Sequence, residues 1–213
     1  ARWVSEHEVH CVSPPSPPAN VSLSVTFNGE EFVAAPRRFV FEQHISVLAL
    51  APLFGPTTGN TPVVVLGQFT PSSSYMCRFG ATAVEGAFVS ATELACVSPA
   101  GEEGPARVEV SANGVDWTGG ADGAIRFSFH PPLILTGVLP STGSVAGGTR
   151  VQLFGANLVP DAPLFCRFGD AVVDGSVIDA AVAECVAPPR VADTLVRVEI
   201  SHDNAQFSNE ASY

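Results

Sequence analysis

The side chains best equipped for chemistry in this chain are its five cysteines, Cys11, Cys77, Cys96, Cys166 and Cys185, and its five histidines, His7, His10, His44, His130 and His202. A zinc site draws four such ligands together, usually with a Cys-x-x-Cys or a His pair a few positions apart. No Cys-x-x-Cys occurs here, the cysteines of each pair stand far apart, and no helical segment carries two histidines at a ligand spacing. A nucleophilic Cys or Ser needs a base, yet there is no Gly-x-Ser-x-Gly and no His-Glu-x-x-His. Gly119 to Gly123 is Gly-rich but lacks the strand-to-helix setting of a phosphate loop, and it reads as a turn. Glu30-Glu31, Glu102-Glu103 and Asp116 with Asp122 fall in loops. They lack the alternating carboxylates of a calcium loop and read as solvated charge. The residues therefore predict neither catalysis nor a bound cofactor or metal.

The cysteines do carry a pattern. Cys77 and Cys96 are 19 positions apart, and so are Cys166 and Cys185; the two pairs are offset by 89. Cys77-Arg78-Phe79-Gly80 recurs as Cys166-Arg167-Phe168-Gly169. Cys96-Val97-Ser98-Pro99 recurs as Cys185-Val186-Ala187-Pro188 and once more as Cys11-Val12-Ser13-Pro14. Between the cysteines Val84-Glu85-Gly86 matches Val173-Asp174-Gly175. Upstream, Thr61 to Gly67 matches Thr149 to Gly155, and downstream Arg107 to Ser111 matches Arg197 to Ser201. Leu23, Val25, Asn28-Gly29 and Phe32 align with Val108, Val110, Asn113-Gly114 and Trp117. Residues 1–43 thus read as the rear half of one module, and 44–130 and 131–213 as two whole ones. A period of this length exceeds a solenoid unit and suits tandem sandwich domains.

Strands must position these groups. Leu23, Val25 and Phe27 alternate with polar residues, as do Val108 and Val110, then Val198 and Ile200, the two-residue period of a half-buried strand. Asn28-Gly29 and Asn113-Gly114 follow such runs and predict type I′ reversals, with Asp203-Asn204 a weaker form. Val63–Leu66 and Val151–Phe154 read as core strands. The 19 Gly and 18 Pro residues fit many short strands joined by turns. No segment shows a helical period, and no apolar run is long enough for a membrane helix. Phe127 to Pro132 leaves almost no linker, and its two prolines stiffen the connection.

The charge balance sets further bounds. Against 21 acidic residues stand 10 basic ones, all Arg, for a net charge of −11. Binding to a phosphate backbone needs a basic face, so nucleic acid is not an expected partner.

A Pro, a Gly-rich turn, Gly-Gly-Thr, an apolar strand ending in Gly, Cys-x-Phe-Gly, Cys-x-x-Pro and a strand with an aromatic beyond its turn follow one another here. In the last module these are Pro140, Gly147-Gly148-Thr149, Gly155, Cys166 to Gly169, Cys185 to Pro188 and Phe207; in the middle one, Pro52, Thr61, Gly67, Cys77 to Gly80, Cys96 to Pro99 and Trp117. The order resembles the IPT/TIG domain, an immunoglobulin-like fold of plexins and transcription factors. The middle copy has Gly59-Asn60-Thr61 in place of Gly-Gly-Thr. The resemblance implies an all-β chain of tandem immunoglobulin-like (E-set) β-sandwiches.

Within that frame the expected use of the cysteines is two intra-module disulfides, Cys77 with Cys96 and Cys166 with Cys185. Each closes a loop of about 20 residues and is worth roughly 3 kcal/mol by chain entropy. Cys11 holds the second position of a pair. Its partner is expected upstream of Ala1; the alternative is a free thiol. Asn20-Val21-Ser22 is an N-glycosylation sequon after an exposed Pro-rich stretch. Disulfides and a glycan place the chain outside the cell. The expected role is a non-catalytic structural or adhesion array whose partners are other protein modules, including copies of itself. A plexin-like receptor ectodomain is the alternative; a DNA-binding module and an accessory domain of a polysaccharide-processing enzyme are more distant ones.

Overall fold

The computed structural model describes residues 1–71, 75–118, 125–160, 162–191 and 195–208. The turn at 119–123, with Asp122, lies outside the described residues. The chain forms two compact units, Ala1–His44 and Ile45–Tyr213. Among the described residues the regular elements are strands, and no helix is long and apolar enough to cross a membrane.

The first unit holds two hairpins. β1 (Arg2–Ser5) pairs with β2 (Glu8–His10), and β3 (Ala19–Val25) pairs with β4 (Val33–Phe41).

The second unit opens with β5 (Ser46–Ala51), β6 (Phe54–Pro56), β7 (Pro62–Gln68), β8 (Tyr75–Phe79), β9 (Thr82–Ser90), β10 (Glu93–Val97), β11 (Gly104–Ser111) and β12 (Arg126–His130). They form one sheet in the order β5-β7-β10-β9-β8-β11-β12-β6. Pairing is antiparallel except between β12 and β6. Then follow β13 (Ile134–Leu139), β14 (Arg150–Ala156), β15 (Leu164–Phe168), β16 (Ala171–Val177), β17 (Val182–Val186) and β18 (Val198–Ser201), in the order β13-β14-β17-β16-β15-β18.

Each sheet folds over onto itself, and the alternation seen in the sequence decides which side faces in. Val63 and Val65 of β7, Tyr75, Cys77 and Phe79 of β8, Leu94 and Cys96 of β10, and Phe127 and Phe129 of β12 meet in one core. Leu153, Leu164, Cys166, Phe168, Cys185 and Ile200 repeat this in the second. Such side chains each contribute about 1.5–3 kcal/mol when fully buried.

The disulfides show how the fold is closed. Cys77 and Cys96 are bonded with Cα atoms 6.4 Å apart, Cys166 and Cys185 with 6.5 Å. Yet their strands are not neighbours: β9 lies between β8 and β10, and β16 between β15 and β17. Two strand spacings in a flat sheet come to about 9.6 Å, so the sheet curls sharply at the middle strand. That strand passes under the bridge at a glycine. A Cβ on Gly86 would lie 2.9 Å from Cys77 Sγ and 3.3 Å from Leu94; one on Gly175 would lie 2.6 and 2.8 Å from the two sulfurs. The glycines of Val-Glu-Gly and Val-Asp-Gly are thus the space the disulfides occupy.

Two turn expectations resolve differently. Asn60 adopts φ 64° where Gly148 has 82°, and Gly59 has 76° where Gly147 has 77°. Asn is among the few non-glycine residues that tolerate this region, so the substituted turn keeps its shape. The type I′ expectation does not hold. Type I′ needs positive φ at both central residues, and only the second of each pair has it, Gly29, Gly114 and Asn204 at 81°, 74° and 56°. Asn28 and Asn113 act instead through their side chains. Asn113 Oδ1 accepts from the Val115 and Asp116 amides at 2.9 and 2.8 Å, and Asn28 Oδ1 from Glu30 and Glu31 at 3.0 Å each.

Gly175→Ala is expected to destabilise the chain by about 1–3 kcal/mol through overpacking. Gly114→Ala, whose Cβ would meet nothing within 4 Å, should lose only the smaller cost of positive φ, about 1 kcal/mol. Urea midpoints of both variants check the ranking.

Candidate functional site

Placing the singled-out residues on this frame separates them. Asn20 is exposed at the start of β3, and Cys11 is exposed and bonded to none of the other four cysteines. His7, His10 and His44 are exposed, with His10 Nε2 2.5 Å from Glu8. Among the described residues no three His, Cys, Asp or Glu side chains converge on a metal-sized space.

Two features absent from the sequence reading emerge. The first explains the Arg of Cys-Arg-Phe-Gly. Arg78 on β8 lies opposite Glu109 on β11, and Nη2 and Nε reach the carboxylate at 2.6 and 3.0 Å. The guanidinium also lies 4.2 Å from the Trp117 ring centroid. Arg167 repeats this with Glu199 at 2.7 Å and Phe207 at 4.0 Å. A planar cation held between a carboxylate and a ring is a task for Arg rather than Lys. The aromatic past the turn is thus pinned to the sheet.

The second is the junction of the two modules in the second unit. Asp203 holds the turn position of Asn113. Its Oδ1 accepts from Ser201 Oγ at 2.8 Å and from the Ala205 and Gln206 amides at 2.9 and 2.8 Å. A carboxylate has a second oxygen to spare, and Thr61 Oγ1 donates to Oδ2 at 2.7 Å across the junction. Gln206 Nε2 donates to the Gly59 carbonyl and lies 3.4 Å from Thr61 Oγ1. Thr61 is fully buried, and its own amide donates to Ser98 Oγ at 3.1 Å.

Two histidines 72 positions apart in the chain complete the junction. His130, 8% exposed, and His202, 3% exposed, meet edge to face with ring centroids 5.2 Å apart. They line a cavity of about 200 Å³ with Pro56, Thr58, Leu133 and Gln206. Burial pulls the His202 pKa below its ordinary 6.5 and His130 adds to the lowering, while the Pro163 carbonyl and Asp203 oppose it. Burial pushes the Asp203 pKa up, but the amides of Gln206 and Ala205 and the hydroxyls of Thr61 and Ser201 outweigh it and hold it below 3.8.

The first unit carries the same local chemistry. Thr26 Oγ1 donates to Asn28 Oδ1 at 3.0 Å, as Ser111 does to Asn113 and Ser201 to Asp203. Phe39 and Phe41 meet edge to face at 4.9 Å, as Phe127 and Phe129 do at 5.0 Å.

Sheets of this order, closed by a disulfide over a glycine, define a run of immunoglobulin-like β-sandwiches. The IPT/TIG domain profile matches residues 46–129 and 133–213, and the chain belongs to the IPT/TIG family. It is similar to Plexin-A2 of Mus musculus, 27% identical over 153 residues, which is 70% of this chain and 8% of that protein. It is also similar to Fibrocystin-L of Mus musculus, 23% identical over 144 residues, 66% of this chain and 3% of that one. The chain therefore spans less than a tenth of these relatives. Among solved structures, the full extracellular region of Plexin A4 superposes with a TM-score of 0.56 at 18% identity, covering 91% of this chain and 18% of that one. This likeness is one of fold.

Thr61→Val removes the donor to the Asp203 carboxylate and is expected to cost about 1.5–3 kcal/mol at pH 6. The folded pKa of Asp203 is depressed, so its contribution is present above about pH 5 and is lost as pH falls through 3.8 toward the folded value. Urea unfolding between pH 6 and 2.5 should show a shallower acid loss for Thr61→Val than for the parent chain.

Proposed function

We propose that this chain is part of an extracellular, non-catalytic array whose sandwich modules hold fixed spacing and present their surfaces to other protein modules. The observation that carries this reading is the junction at Pro131-Pro132. Modules that bond directly to each other, with no linker, act as a semi-rigid spacer. Paired cysteines favour an oxidising compartment, and the acidity of the chain favours solubility and disfavours nucleic acid.

On this reading residues 1–43 are the rear half of a further module, 44–130 and 131–213 being whole ones. The turn chemistry of Thr26 and Asn28 and the Phe39–Phe41 pair support it. Cys11 then stands where Cys96 stands, and its partner belongs to the front half of that module. Asn20, exposed beside a Pro-rich stretch, is the glycan acceptor. A second reading, a receptor ectodomain of plexin type, is favoured by the 27% identity to Plexin-A2.

A non-reducing peptide map of the protein from its natural source tests the shared premise. Linked peptides for Cys77–Cys96 and Cys166–Cys185 and a glycan on Asn20 are expected. Free thiols throughout with a bare Asn20 would place the protein inside the cell and sink both readings. In-situ cross-linking then divides them: copies linked to copies favour a filament or adhesive array, links to a distinct surface protein favour a receptor.

A further inference from the structure

The histidine pair at the junction has no part in the spacer role, yet its hydrogen bonds restrict it to one protonation state. His202 Nδ1 lies 2.5 Å from the Pro163 carbonyl, which can only accept, so Nδ1 carries the proton. His202 Nε2 lies 3.2 Å from the Val159 amide, which can only donate, so Nε2 must be bare. Both contacts are satisfied by the neutral ring alone. A second proton would set one N–H against another and place a charge where the ring is 3% exposed. The titratable groups that act on it are His130, on β12 of the preceding module, and Asp203, on its own turn. His130 Nδ1 lies 3.0 Å from the Pro131 carbonyl and so carries that ring's proton, while its Nε2 lone pair has no partner among the described residues.

The position of His202 gives this restriction a consequence. It sits within the turn Ser201–Gln206, next to Asp203 and four residues before Gln206, the two side chains that reach Thr61 and Gly59. We propose that the junction is a pH-released latch: the neutral His202 ring fixes the turn that holds the two modules together, and its protonation frees them to move about Pro131-Pro132. Release of the turn takes the ring out of burial and away from His130 and the Val159 amide, so the released ring binds a proton more readily than the docked one. As pH falls the released state takes up a proton that the docked state refuses, so docking weakens on acidification. Asp203, held below 3.8, stays ionised between pH 7.5 and 4.5. The latch is independent of which partner the array binds.

Nitrogen-15 relaxation and imidazole shifts of the whole chain, followed from pH 7.5 to 4.5, test it. Residues 45–130 and 131–208 should share one correlation time at pH 7.5 and separate on acidification, at a midpoint below 6.5 that matches the His202 titration. His202→Gln should abolish that midpoint. His130→Gln, which removes the opposing ring, should raise it and keeps the test open if His202→Gln fails to fold. Joint tumbling that persists once His202 is protonated, or an unchanged midpoint in either variant, overturns the latch.

Discussion

Closure of each sandwich depends on one strand crossing beneath a disulfide. β9 and β16 each run between two strands whose cysteines bond over them, and only a residue without Cβ clears the sulfurs. The bridge and the glycine are therefore one device, and the sharp curl of the sheet is its geometric result. With the curl fixed, Tyr75, Leu94, Val110 and Phe127 face one another across the core rather than lying side by side. Small sandwiches have little core to spare, and a bridge that restricts the unfolded chain offsets that shortage.

The junction rests on the exchange of one side-chain nitrogen for an oxygen. Asn113 uses its carbonyl oxygen for its own turn and its amide for Asp116, at 2.9 Å. Asp203 closes the same turn with one oxygen and has another, ionised and acceptor-only, aimed at Thr61. A turn that is self-contained in one module becomes a docking group in the next. The hydrogen bonds that satisfy Asp203 on its own side also make it a better partner across the junction, because they hold it ionised.

The fold was largely legible because repetition in the sequence and periodicity in the strands report the same geometry. Cys-Arg-Phe-Gly and the Cys-x-x-Pro that follows mark β8 and β10 with their inward cysteines, and the unbroken apolar run Val63 to Leu66 marks the core strand β7. The type I′ reading failed for a stated reason: Asn-Gly is compatible with two turns, and side-chain acceptance at Asn113 favours the one needing positive φ at Gly114 alone. The junction was illegible because its parts are 142 positions apart, as with Thr61 and Asp203, and each looks ordinary in its own segment. One signal was available. Asp203 departs from the Asn of its repeats, and a departure at a position otherwise kept between copies marks where a module does something its copies do not.

The paired cysteines also bear on how such a chain answers to pulling. Tension applied along the polypeptide cannot stretch the segment between Cys77 and Cys96, whose ends are 19 positions apart, nor that between Cys166 and Cys185. At about 3.5 Å per extended residue, each module keeps roughly 65 Å of contour in reserve. Under load the two domains would lengthen in two curtailed steps, and a reducing environment would convert them into a longer, softer tether with no change in sequence.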